Sequence, residues 1–539
     1  MNSKLNVLVE VVFVILSLTC AIYLSAQESP NVPEVTYDDY HDTSLPVRQY
    51  PSVFPQGPVH TMVHPRPRRV LPGAALAGPD QAEQTYIAAP VAATIGHNFN
   101  GIPDSANGSL LSVPSDSNLA VGSTQVVETI NTAYQVYSKS TGSSLLGPRQ
   151  ISSIFTGVAG LCGQGATSFN YTDPIVLYDR MANRWIISIV ASNSTFTTGN
   201  ECIAVSTSSD ATGTYHRYVF SFGTNLFNDY PKLGVWPDAY YASYNIFSPT
   251  AFAGAKACAY QRAAMLAGTS AKSVCFTKSP SSSEFSEFSF LPANLDGATL
   301  PPSGEPDFFL DLFSSTSLHL FKFHVDFTTT SNSKFTGPIS IGVPSFTEAC
   351  NGGTCIPQTG TKQQLDSLGD RLMFRLAYRN FSTHESLVVN HSVKSSLAAS
   401  GVRWYEIRSP NGTPAVFQQS TFTSGGNSLW MASIEMDKAG DMALGFSESS
   451  SSIHPSIAYT GRVPTDPLNT MESPALIFAG TGSQTGGTAN GGSRWGDYTS
   501  MVIDPSDDCT FWYVNQYIPS NGLFNFHTRL ASLRFPACP

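Results

Sequence analysis

A two-part pattern of apolar segments recurs seven times along this chain of 539 residues. Each copy opens on a polar or acidic residue, continues with an apolar run, turns, and ends with a second apolar run. The copies begin near residues 116, 173, 229, 305, 370, 430 and 497. Repeats of this length, built of short strands and tight turns, are typical of a radial array of small sheets. The pattern predicts an all-β fold, a single seven-bladed β-propeller with four-stranded antiparallel blades.

Hairpins after each copy supply the third and fourth strands of the predicted blades. Their turns contain the Gly, Asn, Asp and Pro residues that tight turns require, as in YQVYSKSTGSSLLGP and VRWYEIRSPNGTPAVFQQ. The last copy ends one strand short, and an unpaired edge strand promotes aggregation. We therefore expect a strand within residues 93–105 to pair with the C-terminal strand.

The chain before the repeats divides into two parts. Residues 1–26 have the layout of a signal peptide, with Lys4, an apolar run and the small residues Ser25 and Ala26. Cleavage after Ala26 is expected, with an uncleaved anchor as the alternative. Residues 27–92 are rich in proline, lack apolar periodicity and predict a disordered leader. Its HPRPRRV segment (64–70) is interpreted as a solvated basic region, with a processing site as the alternative. The propeller then occupies 93–539.

Removal of the signal peptide leaves an even number of cysteines, which in an exported chain predicts disulfides. Cysteines that are neighbours in sequence also belong to the same blade. We therefore predict sequential pairs, namely Cys162–Cys202, Cys258–Cys275, Cys350–Cys355 and Cys509–Cys538. The protein is expected to be secreted or displayed on the cell surface.

The amino-acid composition limits the classes of molecule that the protein is expected to bind. Charged residues make up only 13% of the chain and aromatic residues 11%, which suits an exported all-β protein. The formal net charge of −10 repels phosphate-rich polymers, so nucleic acid is excluded as a partner. No membrane association is expected after signal removal. A monomer that binds carbohydrate or an extracellular protein is expected.

Six of the seven copies open on a carboxylate. In a propeller the innermost strand of each blade lines a central channel, so these side chains should meet at its mouth. They are Asp116, Asp173, Asp229, Glu305, Asp370 and Asp497. The sixth copy departs from the series with Leu429 and Trp430. So many acids at one point would repel one another unless cations or hydrogen-bond donors lay among them.

Three interpretations of these carboxylates remain open. Each Asp could cap the backbone amides of its own turn. Several could together hold a cation, with calcium as the candidate ion. Two could act as acid and as base or nucleophile on a glycosidic bond, for which Asp370, Asp497 and Asp173 are the candidate catalytic residues.

Arginine and aromatic residues near the same openings are candidate ligand-binding groups. Arg371 follows Asp370, and Arg494 precedes Asp497; arginine suits carboxylate or sugar-acid ligands. Trp495 and Tyr498 could stack on sugar rings, with packing between blades as the alternative. The glycine-rich stretch 479–498 is interpreted as a mobile flap over the channel mouth.

Several segments resemble a group of exported bacterial proteins of the sialidase-like propeller type. The resemblance is carried by SDSNLAVGSTQVVETINTAYQVY, DPIVLYDRMANRWIIS, DYPKLGVWPDAYY, LDSLGDRLMFRLAYRNFSTHESLVVNHSV and RWGDYTSMVIDPSDDCTFWY, and it spans roughly 110–539. SSDATGTY (208–215) also resembles the Asp-box turn of sialidases, a structural motif. The resemblance implies carbohydrate binding or hydrolysis. Active sialidases use three arginines, a Tyr–Glu pair and an Asp acid, of which only Arg371 and Arg494 have candidate matches here.

Two functional hypotheses follow. The first is a secreted module that binds glycans or proteins at the carboxylate-rich mouth, with calcium as a candidate ion. The second is a glycoside hydrolase that uses two of the mouth carboxylates, with Arg371 and Arg494 orienting the substrate. Fold alone does not distinguish them.

Overall fold

The computed structural model describes most of the chain. It covers residues 32–51, 60–63, 69, 71, 80–86, 88–108, 110–163, 171–280, 287–487 and 493–538. These residues form an all-β fold with one α-helix, α1 (Arg262–Ala267), in the described part. Among the described residues no helix has the length and apolarity needed to cross a membrane. The predicted signal peptide lies outside the described residues.

The strands follow one another in short succession. The first seventeen are β1 (Glu34–Tyr37), β2 (Tyr40–Thr43), β3 (His60–Val63), β4 (Thr94–Pro103), β5 (Leu110–Val113), β6 (Asn118–Val121), β7 (Gln125–Thr129), β8 (Ala133–Ser138), β9 (Ser144–Gln150), β10 (Tyr171–Asp179), β11 (Arg184–Ser192), β12 (Gly199–Ser206), β13 (Tyr215–Ser221), β14 (Phe227–Val235), β15 (Tyr240–Phe247), β16 (Phe252–Tyr260) and β17 (Lys272–Lys278).

The later strands continue the series. They are β18 (Leu291–Leu295), β19 (Asp307–Ser314), β20 (Ser317–His324), β21 (Lys334–Gly342), β22 (Thr354–Ile356), β23 (Leu365–Asp366), β24 (Met373–Asn380), β25 (Glu385–Val393), β26 (Gly401–Arg408), β27 (Ala415–Phe422), β28 (Ser428–Met436), β29 (Met442–Ser449), β30 (Ser456–Arg462), β31 (Ala475–Phe478), β32 (Ser500–Ile503), β33 (Thr510–Tyr517) and β34 (His527–Arg534). Short 3-10 segments lie at Val47–Gln49, Asp104–Asn107, Ile151–Phe155, Leu161–Gly163, Thr330–Asn332 and Ala349–Gly352.

Strands that are neighbours in sequence pair into antiparallel sheets. The sheets are β6 to β9, β10 to β13, β14 to β17, β28 to β31, and β32 to β34 with β4. Strands β18 to β21 and β24 to β27 form two more sets, joined because β18 also pairs in parallel with β24. Two-stranded sheets pair β3 with β5 and β22 with β23. The predicted all-β class and four-stranded antiparallel sheets are confirmed.

The first strands of the sheets contact one another in a closed ring. In order, β6 contacts β10, then β14, β18, β24, β28 and β32, and β32 returns to contact β6. All these strands are almost completely buried, as expected for strands with a sheet on either side. Residues that open the ring strands are therefore brought towards a common axis.

The fourth ring strand is not the one that the sequence pattern predicts. The pattern assigned that role to the segment from Glu305, but this segment forms β19, the second strand of its sheet. The ring strand is the short β18, which pairs with β19 at only two positions, Leu291 and Pro292. Strand β18 is hard to recognise in the sequence, because it has only five residues, contains a proline and does not begin with an acidic residue. The apolar FFLDLF run of β19 is much easier to recognise.

The ring is closed by the N-terminal strand that the sequence analysis predicts. Strand β4 pairs antiparallel with the C-terminal β34, from Thr94 with Arg534 to Pro103 with His527. This covers the edge that the last copy would otherwise leave unpaired. The predicted closing strand within 93–105 is confirmed.

Parts of the proline-rich leader are ordered. Strand β1 adds to the outer edge of β17, and β2 adds to the outer edge of β13, so each extends its sheet to five strands. Arg217 also donates two hydrogen bonds to Asp42 of β2, one of them 2.7 Å long. The expectation of a disordered leader over all of 27–92 is therefore wrong for these strands. Backbone pairing to an exposed sheet edge, which apolar periodicity does not reveal, orders them.

All four predicted disulfides are present. They are Cys162–Cys202, Cys258–Cys275, Cys350–Cys355 and Cys509–Cys538. The second joins directly opposite residues of β16 and β17, and the last ties the C-terminus to the start of β33. Four disulfides indicate folding in an oxidising environment.

The glycine-rich stretch 479–498 is packed structure where it is described, which excludes residues 488–492. Gln484 is buried and exchanges two backbone-to-side-chain hydrogen bonds with Gln358, of 2.8 and 3.0 Å. A Cβ on Gly480 would lie 2.0 Å from the carbonyl oxygen of Pro455. The interpretation as a mobile flap is wrong for 480–484, where Gly480 permits close backbone approach and Gln484 is buried.

Phenylalanine rings pack against one another within the fourth sheet. Phe321 stacks on Phe335 with centroids 5.0 Å apart, and Phe290 lies edge-on to Phe321 at 5.1 Å. All three rings are buried. Complete burial of such a side chain stabilises the fold by roughly 1.5–3 kcal/mol, so this cluster helps to hold β18 in place despite its few backbone pairs.

Candidate functional site

Several ring strands contain the same backbone irregularity near their first residues. The pairing register shifts between Thr172 and Ile175 in β10, and between Asp229 and Lys232 in β14. Asp173 and Tyr230 lie in these bulges with φ of 54° and 56°. A bulge re-aims side chains that a regular strand would alternate between two faces, and Asp tolerates the left-handed region better than most residues. Asp116, Ser289 and Met431 have similar φ values near the openings of β6, β18 and β28.

These openings gather eight ionisable residues, which we call the charged cluster. Its members are Asp116, Asp173, Asp229, Lys232, Asp370, Arg371, Arg494 and Asp497. They come from five of the ring sheets or from the loops that lead into them. The cluster therefore forms only when the ring closes.

Hydrogen bonds connect the cluster from one sheet to the next. The amide N–H of Asp497 donates to Asp116 Oδ1 over 2.7 Å, and Asn131 Nδ2 donates to Asp116 Oδ2 over 2.8 Å. Asn131 Oδ1 accepts from the amide of Asp173 at 2.8 Å. Asp173 Oδ2 in turn accepts from the amide of Tyr230 at 3.1 Å. These bonds fix the acids of the seventh, first and second sheets relative to the third.

Lys232 supplies a buried positive charge. Its Nζ lies 3.4 Å from the ring centroid of Tyr230 and 4.1 Å from that of Tyr498, and it donates to the carbonyl of Pro231 at 2.7 Å. The side chain is fully buried. A desolvated ammonium between two aromatic faces gains roughly 2 kcal/mol or more from such a cation–π contact. Burial lowers the pKa of Lys232 to about 8, although the carboxylates of Asp173, Asp116 and Asp497 oppose this shift.

Two arginines form ion pairs with cluster acids. Arg371 Nε donates to Asp370 Oδ1 at 2.8 Å and its Nη2 to Asp370 Oδ2 at 3.0 Å. The guanidinium of Arg371 also lies 4.6 Å from the ring centroid of Tyr230. Arg494 Nη2 donates to Asp497 Oδ2 at 2.8 Å. The Arg371–Asp370 pair is buried, while Arg494 retains some exposure.

The cluster contains five carboxyl groups and three cations, so full ionisation would leave excess negative charge in a buried region. Burial and the carboxylates of Asp497 and Asp173 raise the pKa of Asp116 well above its ordinary value. Burial, then the carboxylate of Asp173, raises the pKa of Asp229 to about 7, although Arg371 and Arg494 oppose the shift. Proton uptake by these two acids balances the charge, as expected when like charges share one site.

Asp229 differs from the other cluster acids in its access to solvent. Its side chain is partly exposed, whereas Asp116, Asp173, Asp370 and Asp497 are buried. Both oxygens of Asp370 are engaged by Arg371, and both of Asp173 accept hydrogen bonds. Asp229 is thus an acid with a pKa of about 7 that is partly open to solvent and can exchange a proton with it.

Most of the sequence-predicted site residues meet in this cluster, but three do not act as expected. Glu305 lies between β18 and β19, where its carboxylate accepts from Asn411, away from the cluster. Its assignment to the mouth is wrong because it follows from the misassigned fourth ring strand. Trp495 and Tyr498 are fully buried, with Trp495 Nε1 donating to Ser447 and the Tyr498 hydroxyl to Pro174. Neither aromatic side chain presents a face to a sugar. Both pack inside the closed ring of first strands instead.

Lys232 and Asn131 were not among the candidate site residues predicted from the sequence. Lys232 had a recognisable signal, because it is the one lysine in the described ring strands, within a segment that is otherwise largely apolar. Asn131 offered no comparable signal, because its role depends on the loop between β7 and β8.

A second ionic cluster joins other ring strands. Arg375 of β24 pairs with Asp296 and, at 2.6 Å, with Glu435 Oε2 of β28. Arg375 and Asp296 border a small cavity of about 30 Å³ that residues of five ring strands line. Burial and the neighbouring Asp296 raise the pKa of Glu435 well above its ordinary value.

Among the described residues, one group of side chains that could together hold a metal ion lies outside the charged cluster. The one group of three candidate ligand atoms within 4.8 Å comprises Asp437, Cys509 and Cys538, and its two sulfurs form a disulfide. Positive charge in the charged cluster comes from Lys232 and two arginines instead. In this described part the cluster therefore balances its acids with side chains and protons.

No family model and no curated protein sequence matches this chain. Among solved structures, similarity to the WD40 domain of SCAP from fission yeast covers 77% of this chain and 82% of that one, with 6% identity and a TM-score of 0.33. Trypanosoma rangeli sialidase in complex with sialic acid has 10% identity and a TM-score of 0.32, over 68% of this chain and 54% of that one. Penicillium chrysogenum α-L-arabinanase complexed with arabinobiose has 8% identity and a TM-score of 0.29, over 58% and 94%. These likenesses are distant, and no inference about function rests on them.

Proposed function

We propose that this chain is an exported seven-bladed β-propeller that binds a carbohydrate at the charged cluster. The closed ring of first strands, completed by the pairing of β4 with β34, supports the seven-bladed architecture. Four disulfides support passage through an oxidising compartment. The proposed form is a monomer acting outside the cell, with an extracellular protein as the alternative ligand.

One observation carries the proposal, namely the partly exposed Asp229, on whose carboxyl two arginines act electrostatically. With a pKa of about 7 it is half protonated near neutrality, so it both donates and accepts hydrogen bonds. The charges of Arg371 and Arg494 act on this carboxyl, and Arg494 is itself partly exposed. Sugar hydroxyls and carboxylates require such convergent donors and acceptors, held in place by a rigid scaffold.

Binding can be tested with a panel of neutral, uronic-acid and sialylated oligosaccharides, measured by calorimetry. We expect the wild type to bind at least one class, and Asp229→Asn or Arg494→Gln to weaken binding about tenfold or more, the loss of a charge-assisted hydrogen bond. Asp326→Asn, which changes an exposed acid in the loop after β20, is the matched control and should bind normally. Binding to none of the panel, or equal binding by all variants, would contradict the proposal.

Glycoside hydrolysis is the second candidate, and the pKa of Asp229 is the observation that favours it. An acid that titrates near pH 7 is suited to protonate a leaving group, and Asp497 and Asp173 act electrostatically on the same carboxyl. The test is release of reducing ends from any oligosaccharide that binds. If Asp229 is the acid, Asp229→Asn should reduce the rate by about 100-fold or more. Binding without release of reducing ends would leave the binding function and reject catalysis.

A further inference from the structure

Arg69, in the basic segment before the repeats, is buried in the folded protein. Its side chain is only 1% exposed. The sequence analysis expected 64–70 to be solvated, and for Arg69 this is wrong. Residues 64–68 and 70 lie outside the described residues. A fully buried arginine is rare unless its guanidinium is paired, so the surface that surrounds it must provide specific partners.

The guanidinium of Arg69 is held by residues near the end of strand β19. Nη1 donates to Asp311 Oδ1 at 3.3 Å and to the carbonyl of Leu312 at 2.8 Å. Nη2 donates to the carbonyl of Phe313 at 2.7 Å, and the ring of Phe313 lies 5.8 Å from the guanidinium. Asp311 is equally buried. A planar fork of donors fits two carbonyls and a carboxylate, whereas an ammonium on a flexible stem does not reproduce this geometry.

The main chain of the same segment is also recognised. The amide N–H of Arg69 donates to Asp370 Oδ2 at 3.1 Å, and that of Leu71 donates to Glu348 Oε1 at 2.8 Å. The Leu71 side chain is 5% exposed and belongs to the main apolar core. Carboxylates thus bind the backbone at alternate residues, while pockets accept the side chains at the same two positions. This is how proteins recognise short peptide segments.

We propose that Asp311, Leu312, Phe313, Glu348 and Asp370 form a peptide-recognition site for an Arg-x-Leu sequence, which Arg69 and Leu71 occupy in cis. Its partner in trans is a peptide bearing that sequence in a similar conformation. The site adjoins the charged cluster, because Asp370 binds both Arg371 and the Arg69 amide. The proposal does not depend on carbohydrate binding. A tethered segment competes with a free peptide at high effective concentration, so the wild type should resist exchange.

The test uses the full chain and the peptide acetyl-Arg-Val-Leu-amide. The double variant Arg69→Ala/Leu71→Ala removes both cis anchors, and calorimetry should show peptide binding that is about tenfold or more tighter than to the wild type. Adding Asp311→Asn should weaken that binding about tenfold or more, as should replacing the peptide arginine by lysine. Arg48→Ala is the matched control, because Arg48 lies in the same N-terminal region but its salt bridge with Asp210 is exposed. It should bind no more peptide than the wild type.

Chemical rescue covers the case in which the double variant does not fold. Arg69→Ala alone should then refold with at least about twice the yield when ethylguanidinium is present, since the guanidinium replaces the missing partner of Asp311. Ethylammonium should give no increase. The proposal is overturned if a folded variant binds no peptide, if lysine and arginine peptides bind equally, if Asp311→Asn has no effect, or if rescue fails in the variant that needs it.

Discussion

Replacing Asp229 by Asn should change how the stability of this protein depends on pH. Asp229 has a folded-state pKa of about 7, against an ordinary value of 3.8. Between these values the folded protein holds a proton that the unfolded chain releases, so stability falls as pH rises from about 4 to about 7. The full difference corresponds to about 4 kcal/mol. Asn has the same shape as the protonated acid and does not titrate, so this contribution should disappear.

The expected result is a difference that grows with pH. Near pH 4 the Asn variant and the wild type should have similar free energies of unfolding. By pH 8 the variant should be the more stable, by up to about 4 kcal/mol, because its side chain carries no charge into the buried cluster. The measurement is urea denaturation followed by intrinsic fluorescence at pH values from 4 to 8, with disulfides intact.

Asp326→Asn is a control, because the pKa of Asp326 is shifted in the opposite direction to that of Asp229. Backbone amides of Thr329 and Thr328 and the side chain of Asn332 lower the pKa of this exposed acid. The stability it contributes is therefore present above its ordinary pKa and is lost as pH falls through the folded value. This variant should parallel the wild type above pH 5. If the Asp229→Asn curve also runs parallel to the wild type, the assignment of a neutral-range proton to Asp229 is wrong.

Three further predictions concern the cluster, one disulfide and the glycine-rich stretch. Lys232→Met should cost about 3–5 kcal/mol of unfolding free energy at pH 7 in urea denaturation and less at pH 5, where more of the surrounding carboxyls are protonated; equal losses at both pH values would refute the charge-balance argument. Replacing Cys162 and Cys202 by Ser opens a loop of 40 residues and should cost about 4 kcal/mol, seen as a lower melting temperature; an unchanged melting temperature would contradict it. Gly480→Ala should destabilise by about 1–3 kcal/mol through a clash with the Pro455 carbonyl, whereas Gly426→Ala, which meets nothing within 4 Å, should not; similar melting temperatures for the two would mean that the stretch is loosely packed.

The sequence predicted the parts of the fold that depend on periodicity. Alternating apolar runs and turn residues identified the strands of most sheets, and neighbouring cysteines identified all four disulfides. Even the closing strand β4 followed from the need to cover an edge. These features repeat, or follow from a general requirement of sheets, so a single chain shows them.

The remaining features depend on single events that no pattern marks. Strand β18 is shorter and less apolar than β19, so the sequence pattern identified β19 as the ring strand. Glu305, which precedes β19, was therefore assigned to the wrong end of its sheet. The docking of β1, β2 and Arg69 depends on edges and pockets that form only in the folded protein. Lys232 could be seen as an oddity in an apolar strand, but its two tyrosine partners come from different sheets.

The charged cluster arises where the sequence departs from its own repeat. The position with positive φ near each strand opening holds Asp116 and Asp173 in the first two sheets, Tyr230 in the third, and Ser289 and Met431 in the fourth and sixth. A ring with an acid at every such position would carry negative charge that few cations could offset within one buried region. Replacing some of these acids by neutral residues and adding Lys232 keeps the net charge low enough to fold. It also leaves Asp229 at the exposed side of the cluster, with a proton that it can give or take near neutral pH. The repeat thus accounts for the scaffold, and its exceptions account for the chemistry.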